Sequence, residues 1–509
     1  MAKPWRILSL VLLAWVCVWI VLSWPSMQDD ALIHLRYADH LLHLHRISYN
    51  GSVPDFGSSS LLYVGLLAAL RSVFTSPLLP RVVSTLCHLL LFAGLAVLLD
   101  RRLRAADRAT SLLALLLLAA LAAPSAVRWL DDGMETSLSL CLVALCAVLT
   151  SRRGALSARA AFALAAVGFV AVLLRVEFLL LLGCMTLVLL AQHRGSVASK
   201  LRCLAPLAGG LLAAACIVAT MHHLLPDTAV AKSVGLGFWR STLTMTAETF
   251  LSSFSFGLLL LALWLLSAAP LLRRRPVLPA LLANSLFPGL LALSTLRGQA
   301  IQGVRYFAWA LLFSLVWNLM ELARLPQTDA RTGHALRWTL LTLCGLYLLA
   351  MPLESHLFLR VFRQRAAAIA QMRAQHLERL RELPLAAYDV GYIGYFTQSP
   401  VCDLGGLVNG RAVAAANYAG RIDHCAALHP TFAFGSIYQL DDLNTRVDLH
   451  GWSICAIYDQ ANLHSSDLHY LVAAPAAEPE VCGVTGNAPQ PLTAVLQPSS
   501  DATLNTPSH

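Results

Sequence analysis

Apolar runs of about 20 residues, parted by short arginine-bearing breaks, fill the first 353 residues and fade beyond them. A helix that crosses bilayer hydrocarbon needs about 20 apolar residues, and arginine and lysine gather in the loops kept in the cytoplasm. Together these rules predict an all-α polytopic membrane domain. A first crossing spans 7–24; Lys3 and Arg6 precede it, and Ser23, Trp24 and Pro25 make a poor cleavage site, so it is expected to stay attached. The run 61–70 is too short to cross and reads as an interfacial or re-entrant segment. Crossings at 82–99 and 111–127 then flank the loop holding Arg101, Arg102, Arg104 and Arg108. Later pairs flank Arg152 and Arg153; His193, Arg194, Lys200 and Arg202; Arg273 to Arg275; and Arg324, Arg331 and Arg337. The expected count is eleven, with the tail outside.

The tail changes period. Phe362, Ala366, Ile369, Met372 and Leu380 recur at helical spacing, predicting an amphipathic helix over 358–383 against the membrane surface. Strand-like runs at 386–396, 401–408 and 452–458, with a helical stretch from Val413, predict a small mixed α/β domain. The expected divisions are a membrane domain at 1–353, an external α/β domain at 354–488 and a disordered Pro, Ser and Thr-rich end at 489–509.

Composition agrees: of 509 residues, 57% are hydrophobic and 13% charged, against about 25% charged in soluble domains. The net charge of +9 sits largely in inter-helix loops, which speaks for membrane lipids and against a nucleic-acid partner. Eight of the twelve cysteines lie in apolar stretches. Cys402, Cys425, Cys455 and Cys482 lie in the tail, where an oxidising compartment allows three pairings.

The chemistry gathers at the external helix ends. Asp29 and Asp30 open a segment with Ala31, Leu35, Ala38 and Leu42 on one stripe and Arg36, His40 and His43 on another, predicting an amphipathic surface helix with carboxylates at its N-terminus. A cap and a solvated charge would explain that pair alone. Arg175 and Glu177, however, interrupt an apolar run of nearly 30 residues, where charges must pair or be used. Lys232, one of three lysines, follows His222 and His223; Arg305 and Tyr306 open a later helix. External cations run against the charge rule and call for an anionic partner. A carboxylate base beside such cations suits transfer from a lipid-linked phosphate. The 3 and 2 spacing of His40, His43 and His45 does not suit a metal set on one helical face.

Gln28-Asp29-Asp30-Ala31, Arg36-Tyr37-Ala38, Tyr49-Asn50-Gly51 and Gly57-Ser58-Ser59-Ser60-Leu61-Leu62 resemble the first external loop of the bacterial terminal β-(1→2) arabinofuranosyltransferase family of GT-C enzymes. The resemblance continues at Asp132-Gly133-Met134-Glu135-Thr136, Leu174-Arg175-Val176-Glu177, Leu225-Pro226-Asp227-Thr228 with Ala231-Lys232, and Arg305-Tyr306. It reaches the tail in Asp389-Val390-Gly391-Tyr392-Ile393-Gly394-Tyr395-Phe396 and Val401-Cys402-Asp403-Leu404-Gly405-Gly406-Leu407-Val408-Asn409. Asp227 and Val176 depart from the family pattern, which has Asn and Pro there.

The resemblance implies a GT-C fold in a bacterial inner membrane, with the site and C-terminal domain facing the periplasm. It implies a polyprenyl-phosphate-linked donor, first of D-arabinofuranose and second of a pyranose, and a glycan, lipid or protein acceptor. In it one of the paired aspartates, Asp29 before Asp30, is the general base, with Asp30 positioning sugar or acceptor. Arg175, Lys232 and Arg305 clamp the donor phosphate. Glu135 and Glu177 take sugar hydroxyls or orient cations, and Arg36, Tyr37, His222 and Tyr306 join substrate binding. No cofactor is required by it, and dependence on a divalent cation stays open. The alternative from another class is a secondary transporter or flippase for a lipid-linked sugar, which calls for inverted repeats and matched broken helices.

Overall fold

The computed structural model describes residues 2–24, 26–51, 54–103, 106–154, 156–193, 196–233, 247, 250–251, 253–273, 276–296, 304–325, 330–374, 380–447, 449, 451–460, 468–475 and 490–491. Helices dominate through residue 374: α1 (Ala2–Ser23), α2 (Asp29–Leu44), α3 (Leu61–Arg71), α4 (Leu79–Arg102), α5 (Arg108–Leu121), α6 (Pro124–Leu130), α7 (Thr136–Thr150), α8 (Ala158–Leu174), α9 (Phe178–Gln192), α10 (Val197–Arg202), α11 (Ala205–Met221) and α12 (Asp227–Ala231). After a π-helical turn at Phe254–Leu258 come α13 (Leu259–Leu272), α14 (Leu278–Asn284), α15 (Leu286–Leu296), α16 (Arg305–Leu322) and α17 (Ala330–Ala374).

Local chemistry sets many of the ends. Asp107 and Ser157 cap α5 and α8 by accepting the N–H groups of Thr110 and Ala160. The predicted crossing at 111–127 breaks at Ala122–Ala123, and Pro124 restarts it as α6 at a 62° bend. The predicted crossing between the Arg273 loop and Arg305 is likewise divided, into α14 and α15. Glycine permits the closest helix packing: a Cβ on Gly168 would stand 2.0 Å from the Pro206 carbonyl oxygen, and one on Gly209 1.9 Å from that of Ala165, so α8 and α11 meet backbone to backbone.

Among the described residues four helices are long and apolar enough to cross a membrane, and the bent α5–α6 pair makes a fifth. Shorter apolar helices pack among them. Helix α16 is their centre: apart from Tyr306, it is buried along its whole length, packed on α7, α13 and α15, as an all-round apolar helix requires. Its one mid-helix amide, Asn318, donates to Ser267 Oγ (3.0 Å) and Asn284 Oδ1 (2.9 Å), which satisfies it away from water.

The amphipathic helix expected at 358–383 is not a separate element. It continues the last apolar run without a break, with Pro352 inside α17 and Phe358, Val361, Phe362 and Ile369 buried. Beyond it a six-stranded mixed sheet forms, with β1 (Leu385–Ala387), β2 (Val401–Asp403), β3 (Phe432–Ser436), β4 (Trp452–Gln460), β5 (Leu468–Pro475) and β6 (Gln490–Pro491). Its order is β2-β1-β3-β5-β4-β6; β1 runs parallel to β2 and β3, and the remaining pairs are antiparallel. Helices α18 (Val390–Thr397), α19 (Arg411–Ala414), α20 (Tyr418–Ala427) and α21 (Ile437–Asn444) fill its connections.

Two predicted strands are corrected. Of 386–396, all but the start is α18, because Val390, Tyr392, Ile393 and Tyr395 are buried where it packs on α2 and tertiary packing overrides strand preference. Of 401–408, only β2 is extended. Asp403 then accepts the N–H groups of Gly405 (2.7 Å) and Leu407 (2.6 Å), turning the chain. Of the tail cysteines, Cys402 and Cys425 form a disulfide that ties β2 to α20. The side chain of Cys455, all of Cys482, and 489 and 492–509 of the expected disordered end lie outside the described residues.

Candidate active site

Asp30 and His34 stand one helical turn apart on α2 and point to the same side. Opposite them lie the Gly57–Ser59 loop, the turn ahead of α7, the α8–α9 junction, the segment from Leu224 to Lys232 and the start of α16. They enclose a cavity of ≈ 310 Å³. Gly133 makes the α7 turn possible: its φ is +90°, and a Cβ there would stand 2.8 Å from that of Ala31.

One end of the cavity is a lattice of ions. Arg305 Nη2 donates to Asp30 Oδ2 (2.9 Å), and its Nη1 lies 3.9 Å from Asp132 Oδ2 without a hydrogen bond of its own. Arg175 donates from Nη1 to Glu135 (3.0 Å) and from Nε to Glu177 (2.6 Å). His34 Nε2 lies 3.3 Å from Glu135 Oε2, and His34 Nδ1 is 2.9 Å from Ser58 Oγ. Lys232 Nζ donates to the Tyr306 hydroxyl (3.1 Å). The Tyr306 ring is ringed by Arg305, Arg175 and Lys232 at 5.3, 5.6 and 5.7 Å from its centre. The other walls are apolar, including Leu179, Leu180, Leu290 and Leu293. This combination suits a ligand with an anionic head and an apolar chain.

Electrostatics separates the two aspartates. Burial pushes the Asp30 carboxyl up, but the charges of Arg305 and Lys232 and the Arg305 hydrogen bond outweigh it, so it sits below the ordinary aspartate value. For Asp29, burial and then the charges of Asp389 and Asp30 prevail over the N–H groups of Tyr392 and Gly391, and its carboxyl is raised well above that value. Burial raises Asp132 to about 6 against the opposing charge of Arg305. Glu135 is also pushed up by burial, but its bond to His34 and the Arg175 charge hold it below the ordinary glutamate value.

Seven of the sequence-predicted residues meet here: Asp30, Glu135, Arg175, Glu177, Lys232, Arg305 and Tyr306. Four do not. Asp29 is buried beside the cavity and accepts the N–H groups of Gly391 (2.8 Å) and Tyr392 (2.5 Å), tying α2 to α18. Arg36 is turned to the tail, where it donates to the carbonyls of Tyr49 (2.8 Å), Ser399 (2.6 Å) and Gly394. That burial corrects the expected amphipathic surface helix in part: of the polar stripe of α2, Arg36 is covered by protein, His40 is half-buried and His43 is exposed. Tyr37 lies beneath the cavity wall, donating to Asp55 and accepting from Gly57 N–H (3.0 Å). His222 ends α11 in a left-handed conformation, exposed and away from the lining.

Sequence reasoning passed over His34 and Ser59 as individual residues. The signal for His34 was its position four residues after Asp30 on a helix. Leu407 of the tail also lines the cavity, so the tail forms part of its wall. Further tail contacts hold the Lys232 segment, with Arg411 donating to Leu225 O (2.9 Å) and Arg421 to Ala231 O (3.0 Å). Among the described residues no three His, Cys, Asp or Glu side chains are grouped as a metal set. The cavity carboxylates are matched by arginine and histidine, so they do not fit a resident divalent cation.

The architecture is that of the GT-C membrane fold. The chain is similar to ArnT from Cupriavidus metallidurans bound to undecaprenyl phosphate, with a TM-score of 0.52 and 14% identity over 93% of this chain and 98% of that one. It is similar to the same ArnT in the apo state, with a TM-score of 0.52 and 13% identity over 94% and 99%. Residues 359–477 match a family described as Domain of unknown function (DUF8728). No curated protein matches the chain.

Proposed function

We propose that this chain is a membrane glycosyltransferase that moves a sugar from a polyprenyl-phosphate donor to an acceptor hydroxyl on the external face of a bacterial inner membrane. The observation that carries the reading is one cavity in which Asp30 is 28% exposed beside Arg305, Arg175, Lys232 and Tyr306, with apolar walls leading away. The likeness to an ArnT that binds undecaprenyl phosphate supports it.

In this reading the phosphate seats against Arg305, Lys232 and Arg175, and the spare Nη1 of Arg305 takes one of its oxygens. The phosphate competes with Asp30 for Arg305 and frees the carboxylate. Asp30 then removes the acceptor hydroxyl proton as that oxygen bonds to the anomeric carbon. The bond from that carbon to the phosphate oxygen breaks, and the negative charge leaves with the polyprenyl phosphate among the cations. Glu177, a partly exposed carboxylate at the rim, takes sugar hydroxyls. Asp30 replaces Asp29 as the base in this proposal, because both carboxylate oxygens of Asp29 are occupied by α18.

The donor sugar proposed is D-arabinofuranose, on the short sequence matches; a pyranose is second. The acceptor is a glycan, lipid or protein, and the topology is eleven crossings with cavity and tail in the periplasm. The test is purified protein in nanodiscs with a synthetic polyprenyl-phosphoryl arabinofuranose and a glycan acceptor, with sugar transfer read by mass spectrometry. Transfer that requires Asp30 and Arg305 is expected. Donor translocation without transfer would overturn the enzyme reading in favour of a flippase.

A further inference from the structure

A second set of cations lies outside the cavity. Arg81 of α4, Arg128 of α6 and Arg365 of α17 are 1%, 6% and 8% exposed, and each has guanidinium nitrogens with no hydrogen-bond partner: Nε in all three, and Nη1 as well in Arg128. The charge of Arg365 acts on both Arg81 and Arg128. The anions acting on them are few. Asp132 faces Arg81, Arg128, Arg365 and Arg305 at once, and its Oδ2 makes no hydrogen bond. Asp131 also acts on Arg81, but both its oxygens lie 3.1 Å from Nδ1 of buried His88, whose Nε2 is 2.9 Å from the Leu121 carbonyl oxygen. His88 therefore occupies both oxygens of Asp131.

Buried guanidinium groups without counter-charge or hydrogen bonds are costly, and neighbouring like charges add to the cost. Aromatic rings surround the group and hold the cations in place: Trp24 lies 5.8 Å from Arg81, and Trp129 and Phe358 lie 4.9 and 5.6 Å from Arg128. Arg81 donates to Ser23 Oγ at the end of α1. Four segments converge there: the end of α1, the start of α4, α6 and the middle of α17.

We propose that Arg81, Arg128 and Arg365 form a second anion site, separate from the cavity, that takes a phosphate or phosphodiester group. Forked guanidinium donors match tetrahedral oxyanions in geometry as well as charge. Indole and phenyl rings beside them suit the headgroup level of a membrane. The site does not depend on the proposed transfer reaction: its three arginines are distinct from the cavity cations, although Arg305 shares the neighbours Asp132 and Trp129 with them and its charge also acts on Arg128.

The experiment uses the full chain in nanodiscs of phosphatidylcholine, with thermal unfolding and native mass spectrometry as readouts. In one arm phosphatidylglycerol replaces part of the lipid; in the other inorganic phosphate is titrated at constant ionic strength. A saturable rise in Tm of at least about 2 °C in either arm is expected. A response to phosphatidylglycerol alone assigns a lipid headgroup, and a response to phosphate alone assigns a soluble ligand. The rise should disappear in Arg128→Gln with Arg365→Gln and persist in Lys232→Ala, which alters the cavity instead. Should the double variant not fold, Arg128→Lys, which keeps the charge but not the fork, should show a reduced rise. No rise in either arm for the wild-type protein, with no bound phosphate or anionic lipid in its mass spectrum, would overturn the proposal. So would an unchanged rise in folded Arg128→Gln/Arg365→Gln protein.

Discussion

Adjacent carboxylates on α2 serve two different regions. On the cavity side, Asp30 faces Arg305 and Lys232, remains partly open and is held ionised by their charge. On the tail side, Asp29 and Arg36 meet almost nothing but backbone, from Tyr49 and from residues 391–399. The first arrangement leaves a carboxylate that a ligand can displace from its partner. The second commits every nitrogen of the Arg36 guanidinium and both oxygens of Asp29 to backbone partners that dock a domain. Glycine marks the second region: a Cβ on Gly391 would stand 1.9 Å from Asp29 O, and one on Gly394 2.0 Å from the Tyr49 hydroxyl. The same helix thus separates chemistry from attachment by one residue.

The largest difference should come from the aspartates themselves. Asp30→Asn is expected to lower transfer roughly 10²- to 10⁴-fold with little change in Tm, the usual cost of losing a general base. Asp29→Asn should keep turnover per folded molecule within a few fold. Equal losses from both variants, in folded protein, would end the distinction between the two sides.

Arg36→Ala should act on stability, leaving backbone carbonyls of Tyr49, Gly394 and Ser399 without their donor, at a cost of about 2–3 kcal/mol. Hydrogen exchange over 390–399 would read the loosened dock. Asp29→Asn should show a smaller loss in the same segment, about 1–2 kcal/mol, because the amide oxygen still accepts one of the two N–H groups.

A pH profile sharpens the cavity side. The base works as the carboxylate, and Arg305 favours that form, so the acid limb of kcat/KM should lie below the ordinary aspartate range. Arg305→Gln removes the largest favourable charge and should move the limb to higher pH as activity falls. A limb that stays in place would remove Asp30 from the base role. The smallest effect on transfer should come from the tail disulfide. Cys402 and Cys425 should resist alkylation until a reductant is added, while Cys17 and Cys344 show no such dependence.

The apolar helices were legible because a bilayer requires runs of apolar residues, and the expected runs are helical where the chain is described, apart from breaks such as that at Ala122–Ala123. The site was legible in part, because cations at helix ends expected to lie outside run against the charge rule whichever way they point. Rotation around a helix was not. Asp29, Arg36 and Tyr37 are polar and near the right end, but whether a side chain turns to a cavity or to a domain more than 350 residues away is settled by tertiary contact. The break at Ala122–Ala123 was signalled by Pro124, whereas α18 was hidden by strand-favouring residues whose helix is held by burial. His34 was the weaker signal, one helical turn from Asp30 but one of three histidines on α2, and only Glu135 beside it marks it out.

The dock between α2 and α18 also constrains how the protein is made. The partners of Arg36 at Gly394 and Ser399 lie 358 and 363 residues downstream. At roughly 5–20 residues per second, a ribosome takes on the order of 20–70 seconds to reach them. Throughout that interval α2 carries a guanidinium group that the finished protein buries. An unfinished chain therefore displays a charged, unsatisfied surface on α2, one that the later-made sheet domain covers. Chains truncated within α17 would carry that exposed surface permanently, giving quality-control proteases a mark by which to tell them from complete ones.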